Sequence, residues 1–226
     1  GVLQKGKTVG EYQLDKITGA AIKIATEPDT SEVTDESNTT GGDADNTATT
    51  VDKLHIFVGD SRTVGLSNAM GCVSYDKLLQ IRTEENLTEY YLAEVGSGYS
   101  WYSTKALPKL VKMLNENPAA TVILNHGIND LGNIDQYIAS YQWLIRVYPN
   151  TKFVIMSVNP VNRKLYKGYA KPANITVFNQ KMQAAFPNNF VNTYQYLQSM
   201  GFNTADGLHY DSLTYMNLYN YMQPYL

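Results

Sequence analysis

The chain has 226 residues, of which 43% are hydrophobic and 17% charged, and its net charge at pH 7 is −3. This is an ordinary globular composition whose length suits one domain with an additional segment, and its acidic balance does not favour nucleic-acid binding. A single cysteine, Cys72, excludes an internal disulfide, and no apolar run approaches the roughly 18 residues that a membrane span needs.

The first fifty residues differ in composition from the rest of the chain. Residues 26–50 are rich in Thr, Asp, Glu, Ser, Asn and Gly and have almost no apolar side chains, so they cannot bury enough surface to offset the entropy of ordering. We therefore predict an N-terminal segment with a flexible acidic linker over residues 1–50 and a folded domain over residues 51–226. Before the linker, residues 10–25 predict a short strand or a helix fragment. Such Thr-rich linkers often tether exported domains, which favours a secreted or cell-surface location in a bacterium.

From residue 53 onward, strand-like and helix-like patterns alternate. Apolar strands are predicted at residues 53–58, 90–95, 120–127, 151–160 and 189–193, and helices at residues 104–117, 134–149, 171–187 and 211–226. Pro172 fits the first turn of the third helix, and Asp211 is placed to cap the last one. Near-continuous apolar strands that alternate with helices favour a parallel sheet covered on both faces. The predicted fold is therefore an α/β three-layer sandwich with a central parallel sheet of about five strands.

Three polar residues at the ends of predicted elements form a candidate catalytic group. Ser61 follows the first strand at a Gly-Asp-Ser turn, and Asp206 and His209 lie just before the last helix. The carboxyl ends of parallel strands gather at one edge of the sheet, where ligands bind in open α/β proteins. A serine nucleophile needs a base, and the base needs a partner that holds its tautomer. These positions predict Ser61 as the nucleophile, His209 as the base and Asp206 as its partner.

The same edge of the sheet supplies candidate donors for an oxyanion. The tetrahedral intermediate of acyl transfer carries a negative oxygen, which needs preformed hydrogen-bond donors. The backbone N–H of Ser61, a glycine N–H after the second strand and the side-chain amide of Asn129 are three candidates. The second strand leads to Gly96, with Gly98 close behind.

Together these blocks resemble those of the SGNH (GDSL-type) hydrolases, from about residue 53 to the C-terminus. The matching stretches are GDSR at 59–62, GIND at 127–130 and DGLH at 206–209. For the family's second-block glycine we prefer Gly96 and keep Gly98 as the alternative, because the stretch EVGSGYSW can be aligned either way. The resemblance implies a three-layer α/β/α, flavodoxin-like fold and an esterase, lipase or carbohydrate-deacylase activity that uses no metal.

The residues after the candidate nucleophile depart from two known patterns. The family's usual leucine after the serine is Arg62 here, which alters the pocket wall or the packing of the turn. An ion pair within the loop is favoured for Arg62 over a contact with an acidic substrate group. Thr63 stands where the nucleophile elbow of ordinary α/β-hydrolases has a glycine, which argues against that fold.

Several other residues are weaker candidates for the site. His126 lies next to the GIND block and could line the site, and Trp101 and Tyr102 follow the second-strand loop, where they could form its rim. The RKLYK stretch at 163–167 is interpreted as a solvated loop that could reach the mouth of the cleft. No His/Cys/Asp cluster shows metal-ligand spacing, so we predict neither a metal nor a cofactor.

These observations predict a serine esterase that hydrolyses small acyl esters, acetyl above all, on a carbohydrate or cell-wall glycan. The expected partner is this ester substrate, with no nucleic acid and no membrane span. Two alternatives are an acyltransferase on the same scaffold and a non-catalytic glycan-binding module. Product analysis with and without a sugar acceptor distinguishes an acyltransferase from an esterase. Glycan binding without turnover identifies a binding module.

Overall fold

The computed structural model describes residues 12–14, 21–23 and 52–226. Tyr12–Leu14 (β1) and Ala21–Lys23 (β2) form a two-stranded antiparallel sheet, within the stretch for which the sequence predicts a short strand or a helix fragment. The predicted linker at residues 26–50 lies outside the described residues, and so does the predicted domain boundary after residue 50.

The larger sheet formed by the described residues has seven strands. They are β3 (Lys53–Gly59), β4 (Val73–Ser74), β5 (Leu79–Glu84), β6 (Leu87–Ala93), β7 (Thr121–Asn125), β8 (Lys152–Met156) and β9 (Phe190–Val191). Their spatial order is β4-β5-β6-β3-β7-β8-β9. The run from β6 to β9 is parallel, whereas β5 pairs with β6, and β4 with β5, in antiparallel fashion.

The five parallel strands confirm the predicted parallel centre of the sheet. The antiparallel edge was not predicted, because β4 is wholly exposed and β5 has only one buried residue. Neither strand contains a continuous apolar run, the pattern from which the five parallel strands were predicted. The sheet is therefore mixed: its parallel part runs from β6 to the β9 edge, and the antiparallel strands β5 and β4 extend it on the other side.

The helices and helical turns of the described residues are α1 (Ser61–Ala69), α2 (Tyr99–Trp101), a π-helical turn (Tyr102–Ala106), α3 (Leu107–Glu116), a 3-10 turn (Leu131–Asn133), α4 (Ile134–Val147), α5 (Pro172–Ala185), α6 (Thr193–Met200), α7 (Ser212–Met222) and a final 3-10 turn (Gln223–Tyr225). The four predicted helices are present as α3, α4, α5 and α7, whereas α1, α2, α6 and the short turns were not predicted. Asp211 caps α7 by accepting a hydrogen bond from the backbone N–H of Thr214 at 2.8 Å, as predicted. The short α6 was not predicted, since only Thr193 and Leu197 of its residues are buried.

Alternating strand residues face two separate layers of helices. On β3, Ile56 and Val58 belong to the core cluster that includes α3, α4 and α5. Phe57, which points to the opposite face, belongs to the cluster that includes α1, α6 and α7. Because both faces are covered, the central strands are apolar on both sides. The three-layer α/β/α sandwich is confirmed.

A buried charged network lies on the second face of the sheet. The Glu89 carboxylate on β6 is fully buried. One of its oxygens meets His55 Nδ1 at 3.2 Å and accepts from the Tyr219 hydroxyl at 2.7 Å. The other accepts from Arg82 Nε at 3.0 Å and from the Tyr91 hydroxyl at 3.2 Å. Burial raises the pKa of Glu89, but these hydrogen bonds and the Arg82 charge outweigh it and hold the pKa below its usual value.

Truncating this carboxylate is expected to destabilise the fold strongly. We expect Glu89→Ala to lower the free energy of unfolding by about 3–5 kcal/mol, because the Arg82 charge and two hydroxyls lose their buried partner. Urea unfolding followed by circular dichroism measures the change. The matched control is Glu84→Ala, which removes the exposed carboxylate paired with the same Arg82 and is expected to change stability by less than about 1 kcal/mol. Equal losses in both variants would contradict the prediction.

Candidate active site

Ser61 lies at the junction of β3 and α1. β3 ends at Gly59, and Asp60 caps α1 by accepting a hydrogen bond from the Arg62 backbone N–H at 2.9 Å. Ser61 is the first helical residue, so its backbone N–H has no partner within the helix. The helix N-terminus also favours negative charge. Burial raises the pKa of Asp60 to about 6, although the Arg62 N–H and charge oppose the shift.

The structure brings Ser61, His209 and Asp206 together in one hydrogen-bonded chain. Ser61 Oγ lies 2.9 Å from His209 Nε2. On the other side of the ring, His209 Nδ1 lies 2.6 Å from Asp206 Oδ2. The loop before α7 folds tightly, since Asp206 Oδ1 accepts from the backbone N–H groups of Leu208 and His209, each at 2.8 Å. These bonds set the carboxylate and the ring on the same side of the loop.

The charge of Asp206 suits it to orient the imidazole. Partial burial raises its pKa, but the hydrogen bond from His209 and the two backbone N–H groups outweigh this and hold the pKa well below the usual range. The carboxylate is therefore ionised at neutral pH. It favours the tautomer with a proton on Nδ1, which leaves Nε2 free to accept the proton of the Ser61 hydroxyl.

Asn129 lies in the loop after β7 and is tied to the loop after β6. Its Nδ2 donates to the Ser97 carbonyl at 2.8 Å, which uses one of its two amide hydrogens. The Ser97 hydroxyl in turn donates to the carbonyl of Gly59 at 3.4 Å. The loops that carry Asn129 and Ser97 and the turn that carries Ser61 are therefore joined at one edge of the sheet.

The contacts of the two candidate glycines differ. Gly98 directly follows Ser97, and a Cβ added there would lie 2.6 Å from the Asp130 carboxylate, so a side chain does not fit. That carboxylate accepts from the backbone N–H of Tyr99 at 2.6 Å. Gly96 is exposed, adopts φ +75, and has no atom within 4 Å of such a Cβ. Both positions therefore require glycine, Gly98 because a side chain has no space and Gly96 because of its left-handed backbone conformation.

Arg62 forms no ion pair among the described residues and instead holds two loops by their backbones. Its guanidinium donates to the carbonyls of Asn159 at 2.7 Å, Pro160 at 3.0 Å and Leu208 at 3.1 Å. The side chain is 3% exposed and lies over the Tyr210 ring. Since Leu208 precedes His209, Arg62 connects the helix that carries Ser61 to the loop that carries the candidate base.

We expect Arg62→Leu to lower kcat for p-nitrophenyl acetate by about 10–100-fold, because small displacements of a base strongly reduce proton transfer. Arg62→Lys keeps the charge but loses the planar fork, so its kcat is expected to lie between those of Arg62→Leu and the parent. Steady-state kinetics on folded fractions, with thermal melting as the check on folding, measures both. A leucine variant that melts earlier yet keeps the parent kcat would show that Arg62 stabilises the fold without positioning His209.

His126 and Tyr102, which the sequence offered as residues lining or rimming the site, are buried inside the fold. His126 is buried, and burial lowers its pKa to about 3, so it is neutral. Its Nε2 lies 3.3 Å from the Ser97 hydroxyl, and its ring packs beside Trp101, Tyr102 and Tyr137. Tyr102 is fully buried, whereas Trp101 is partly exposed. Of the two rim candidates, only Trp101 has surface to offer a ligand.

The loop between β8 and α5 borders the site. From the sequence, only its RKLYK stretch at residues 163–167 was considered able to reach the mouth of the cleft. The backbone N–H of Asn162 donates to the Gly207 carbonyl at 2.8 Å, and the Tyr169 hydroxyl donates to the Ile128 carbonyl at 2.5 Å. Gly207 lies between Asp206 and His209, and Ile128 precedes Asn129. The signal available in the sequence was the position of the loop after a parallel strand.

The described residues contain neither a membrane-spanning helix nor a cluster of metal-ligating side chains. None of their helices is both long enough and apolar enough to cross a membrane. No group of three or more His, Cys, Asp or Glu side chains within this part of the chain is arranged to hold a metal ion.

Solved structures are similar to this chain, whereas no family model and no curated protein matches it. A Streptococcus pneumonia protein whose description names platelet activating factor is 22% identical, with a TM-score of 0.55 over 80% of this chain and 86% of that one. A Parabacteroides merdae protein described as a GDSL-like lipase is 14% identical, with a TM-score of 0.54 over 75% and 96%. An acetyl xylan esterase, AlAXEase, is 16% identical, with a TM-score of 0.50 over 76% and 98%. The resemblance to the SGNH (GDSL-type) hydrolases is confirmed at the level of the fold.

Proposed function

We propose that this chain, which has the SGNH-hydrolase fold, is a serine esterase that removes small acyl groups, acetyl above all, from a carbohydrate. The observation that carries the proposal is the continuous chain of hydrogen bonds from Ser61 through His209 to Asp206. This arrangement activates a hydroxyl toward a carbonyl carbon. An acetyl xylan esterase among the similar structures supports the choice of substrate.

The reaction begins when Ser61 Oγ attacks the ester carbonyl. His209 Nε2 takes the hydroxyl proton, and Asp206 stabilises the imidazolium that forms. The tetrahedral intermediate collapses as His209 returns the proton to the departing alcohol oxygen, which leaves an acyl-enzyme on Ser61. A water molecule, deprotonated by the same histidine, then attacks the acyl carbonyl, and release of the carboxylic acid restores the hydroxyl.

Three donors would stabilise the negative oxygen of each tetrahedral intermediate. The Ser61 backbone N–H is free of intrahelical bonds at the start of α1, and Asn129 retains one amide hydrogen beyond its bond to Ser97. We assign the third donor to a glycine N–H of the loop after β6, with Gly96 preferred from the sequence and Gly98 as the alternative. Each such donor contributes about 3 kcal/mol of transition-state stabilisation.

The proposal is tested by ester hydrolysis together with covalent labelling. The full chain is assayed with p-nitrophenyl acetate, p-nitrophenyl butyrate and acetylated xylan, before and after treatment with a fluorophosphonate. We expect faster hydrolysis of acetate than of butyrate, acetate release from the xylan, complete inactivation at one label per chain, and the label on the Ser61 peptide. Activity that survives labelling, or a label elsewhere, would contradict the serine mechanism.

The same assays separate the two alternatives. Added xylo-oligosaccharide should leave acetate release unchanged, whereas an acyltransferase would deposit the acetyl group on the added sugar. A glycan-binding module would bind xylan without releasing acetate and without reacting with the fluorophosphonate. The Thr-rich acidic composition of residues 26–50 leads us to propose a secreted or cell-surface location, which fractionation of the source cells checks.

A further inference from the structure

The second part of the domain carries a net positive charge because acidic residues are rare there. Residues 136–226 contain seven Lys or Arg residues and only two acidic residues, Asp206 and Asp211. Residues 52–135, in contrast, contain seven Lys or Arg and ten Asp or Glu. Four of the seven cations in the second part fall within nine residues. They are Arg163, Lys164, Lys167 and Lys171.

These four cations lie in the β8–α5 loop and at its end, in a segment (residues 159–171) that we call the basic loop. Its start is fixed by Arg62, which follows Ser61 and donates to the carbonyls of Asn159 and Pro160. Its middle is bonded to Gly207, within the Asp206–His209 motif, and its end to Ile128, next to Asn129. The basic loop therefore borders the site from the base to an oxyanion donor.

The lysines of the basic loop have no carboxylate partner among the described residues. Lys164, Lys167 and Lys171 are exposed, and none of them forms an ion pair there, unlike Lys109 with Asp76 or Lys181 with Asp135. Lys167 donates to the Arg163 carbonyl at 3.3 Å, which does not neutralise it, so the charge of all three lysines is available to a ligand.

The remaining side chains of the loop also bear on what it can bind. Arg163 lies over the Tyr166 ring and donates to the Gly168 carbonyl at 2.8 Å, so it adds charge to a structured segment. Tyr169 is half exposed and presents a ring surface beside the site. A cationic loop with an exposed aromatic ring is suited to bind an anionic sugar chain. The positive charge attracts the polymer, and the ring can pack on a sugar face.

We propose that the natural substrate is an acylated anionic polysaccharide, whose carboxylate or phosphate groups lie against the basic loop while the ester reaches Ser61. This inference rests on the proposed esterase function and adds the charge of the substrate. Glu94 in the β6–α2 loop is exposed, and its negative charge disfavours anions beside that loop. The carboxylate or phosphate groups of the substrate therefore face the basic loop. A lipid surface is less favoured, because Leu165 is the single exposed aliphatic side chain of the basic loop and its burial alone is too weak to anchor the protein.

The test compares chemically acetylated polygalacturonate, acetylated dextran phosphate and neutral acetylated dextran as substrates of the full chain. In the variant Lys164→Gln/Lys167→Gln/Lys171→Gln, we expect KM for one or both anionic polymers to rise at least about 10-fold, because local attraction of a charged substrate reaches that size. We expect kcat to stay unchanged and acetylated dextran and p-nitrophenyl acetate to be hydrolysed at parent rates. Raising NaCl from 20 to 300 mM should raise KM for the same polymers in the parent and much less in the variant.

The matched control removes three exposed lysines from the other part of the domain. Lys77→Gln/Lys105→Gln/Lys112→Gln makes the same change in net charge and is expected to leave KM for the anionic polymers within about 2-fold of the parent. Equal effects of the two triple variants would show a general charge effect and would overturn the proposal. The proposal would also be overturned if the ratio of KM for the anionic polymers to KM for neutral acetylated dextran were the same in the basic-loop variant as in the parent.

A direct binding measurement keeps this inference separate from the esterase proposal. Non-acetylated polygalacturonate and dextran phosphate are titrated into the full chain by calorimetry, and we expect binding of at least one of them that the basic-loop variant loses. An inactive chain that still binds in this way would refute only the esterase proposal. An active chain that binds neither polymer, or that binds phosphatidylglycerol vesicles instead, would refute the anionic polysaccharide.

Discussion

Replacing either Ser61 or His209 with alanine is expected to lower kcat for p-nitrophenyl acetate by at least about 10⁴-fold. Without Ser61 there is no oxygen to attack the carbonyl. Without His209, whose Nε2 lies 2.9 Å from that oxygen, the hydroxyl stays protonated and is a weak nucleophile. Because both residues serve one step, the double variant should lose no more than either single variant.

Steady-state kinetics on the two single variants and the double variant measures these losses. The control is Ser199→Ala, which removes an exposed hydroxyl on α6 that bonds only to a carbonyl of its own helix and should keep the parent kcat. Thermal melting shows whether each variant is folded. Losses that multiply in the double variant would mean that Ser61 and His209 act in separate steps, and the proposed triad would then be wrong.

Replacing Asn129 with alanine is expected to lower kcat by about 10²–10³-fold with little change in KM. The amide would donate to an oxygen that becomes negative only as the tetrahedral intermediate forms, so its loss acts on the transition state more than on the bound ester. Asn129→Asp keeps the shape but replaces the donor with a negative charge, and its loss should be at least as large.

The Asn129 prediction needs a control for the bond between Asn129 and the Ser97 carbonyl. Asn133→Ala removes a neighbouring amide that donates to the Asp130 carboxylate at 2.9 Å and is expected to lower kcat by less than about 5-fold. The kinetics are measured with p-nitrophenyl acetate and with acetylated xylan. If Asn129→Ala raises KM while kcat stays constant, the residue binds the ground state and is not an oxyanion donor.

Much of the fold followed from local patterns in the chain. The five parallel strands are short apolar runs, and helices α3, α4, α5 and α7 carry spacing or capping signals, such as Asp211 at the start of α7. The antiparallel edge strands β4 and β5 could not be recognised in this way, because they are largely exposed. Their pairing is decided by the open edge of β6, which is a property of the assembled sheet.

The candidate site also combines residues that the sequence predicts with surroundings that only the tertiary structure shows. Ser61, Asn129, Asp206 and His209 could be proposed from the sequence, because each stands at a strand end or directly before the last helix. For the third oxyanion donor the sequence favours Gly96 and keeps Gly98 as the alternative, since both glycines follow β6 within three residues of each other. The tertiary structure adds the surroundings of each glycine: a side chain at Gly98 would meet the Asp130 carboxylate of a loop distant in sequence, whereas a Cβ at Gly96 would have no atom within 4 Å.

The sequence by itself determined the layered α/β architecture and the residue types that can perform acyl transfer, because both depend on local periodicity and on the order of short motifs. Only the tertiary structure decided which groups surround these residues. Arg62 holds three carbonyls instead of an ion pair, and His126 is enclosed in the fold. The basic loop borders the site through contacts with Arg62, Gly207 and Ile128. These contacts join residues tens of positions apart, and such distances close only when the whole sheet has assembled.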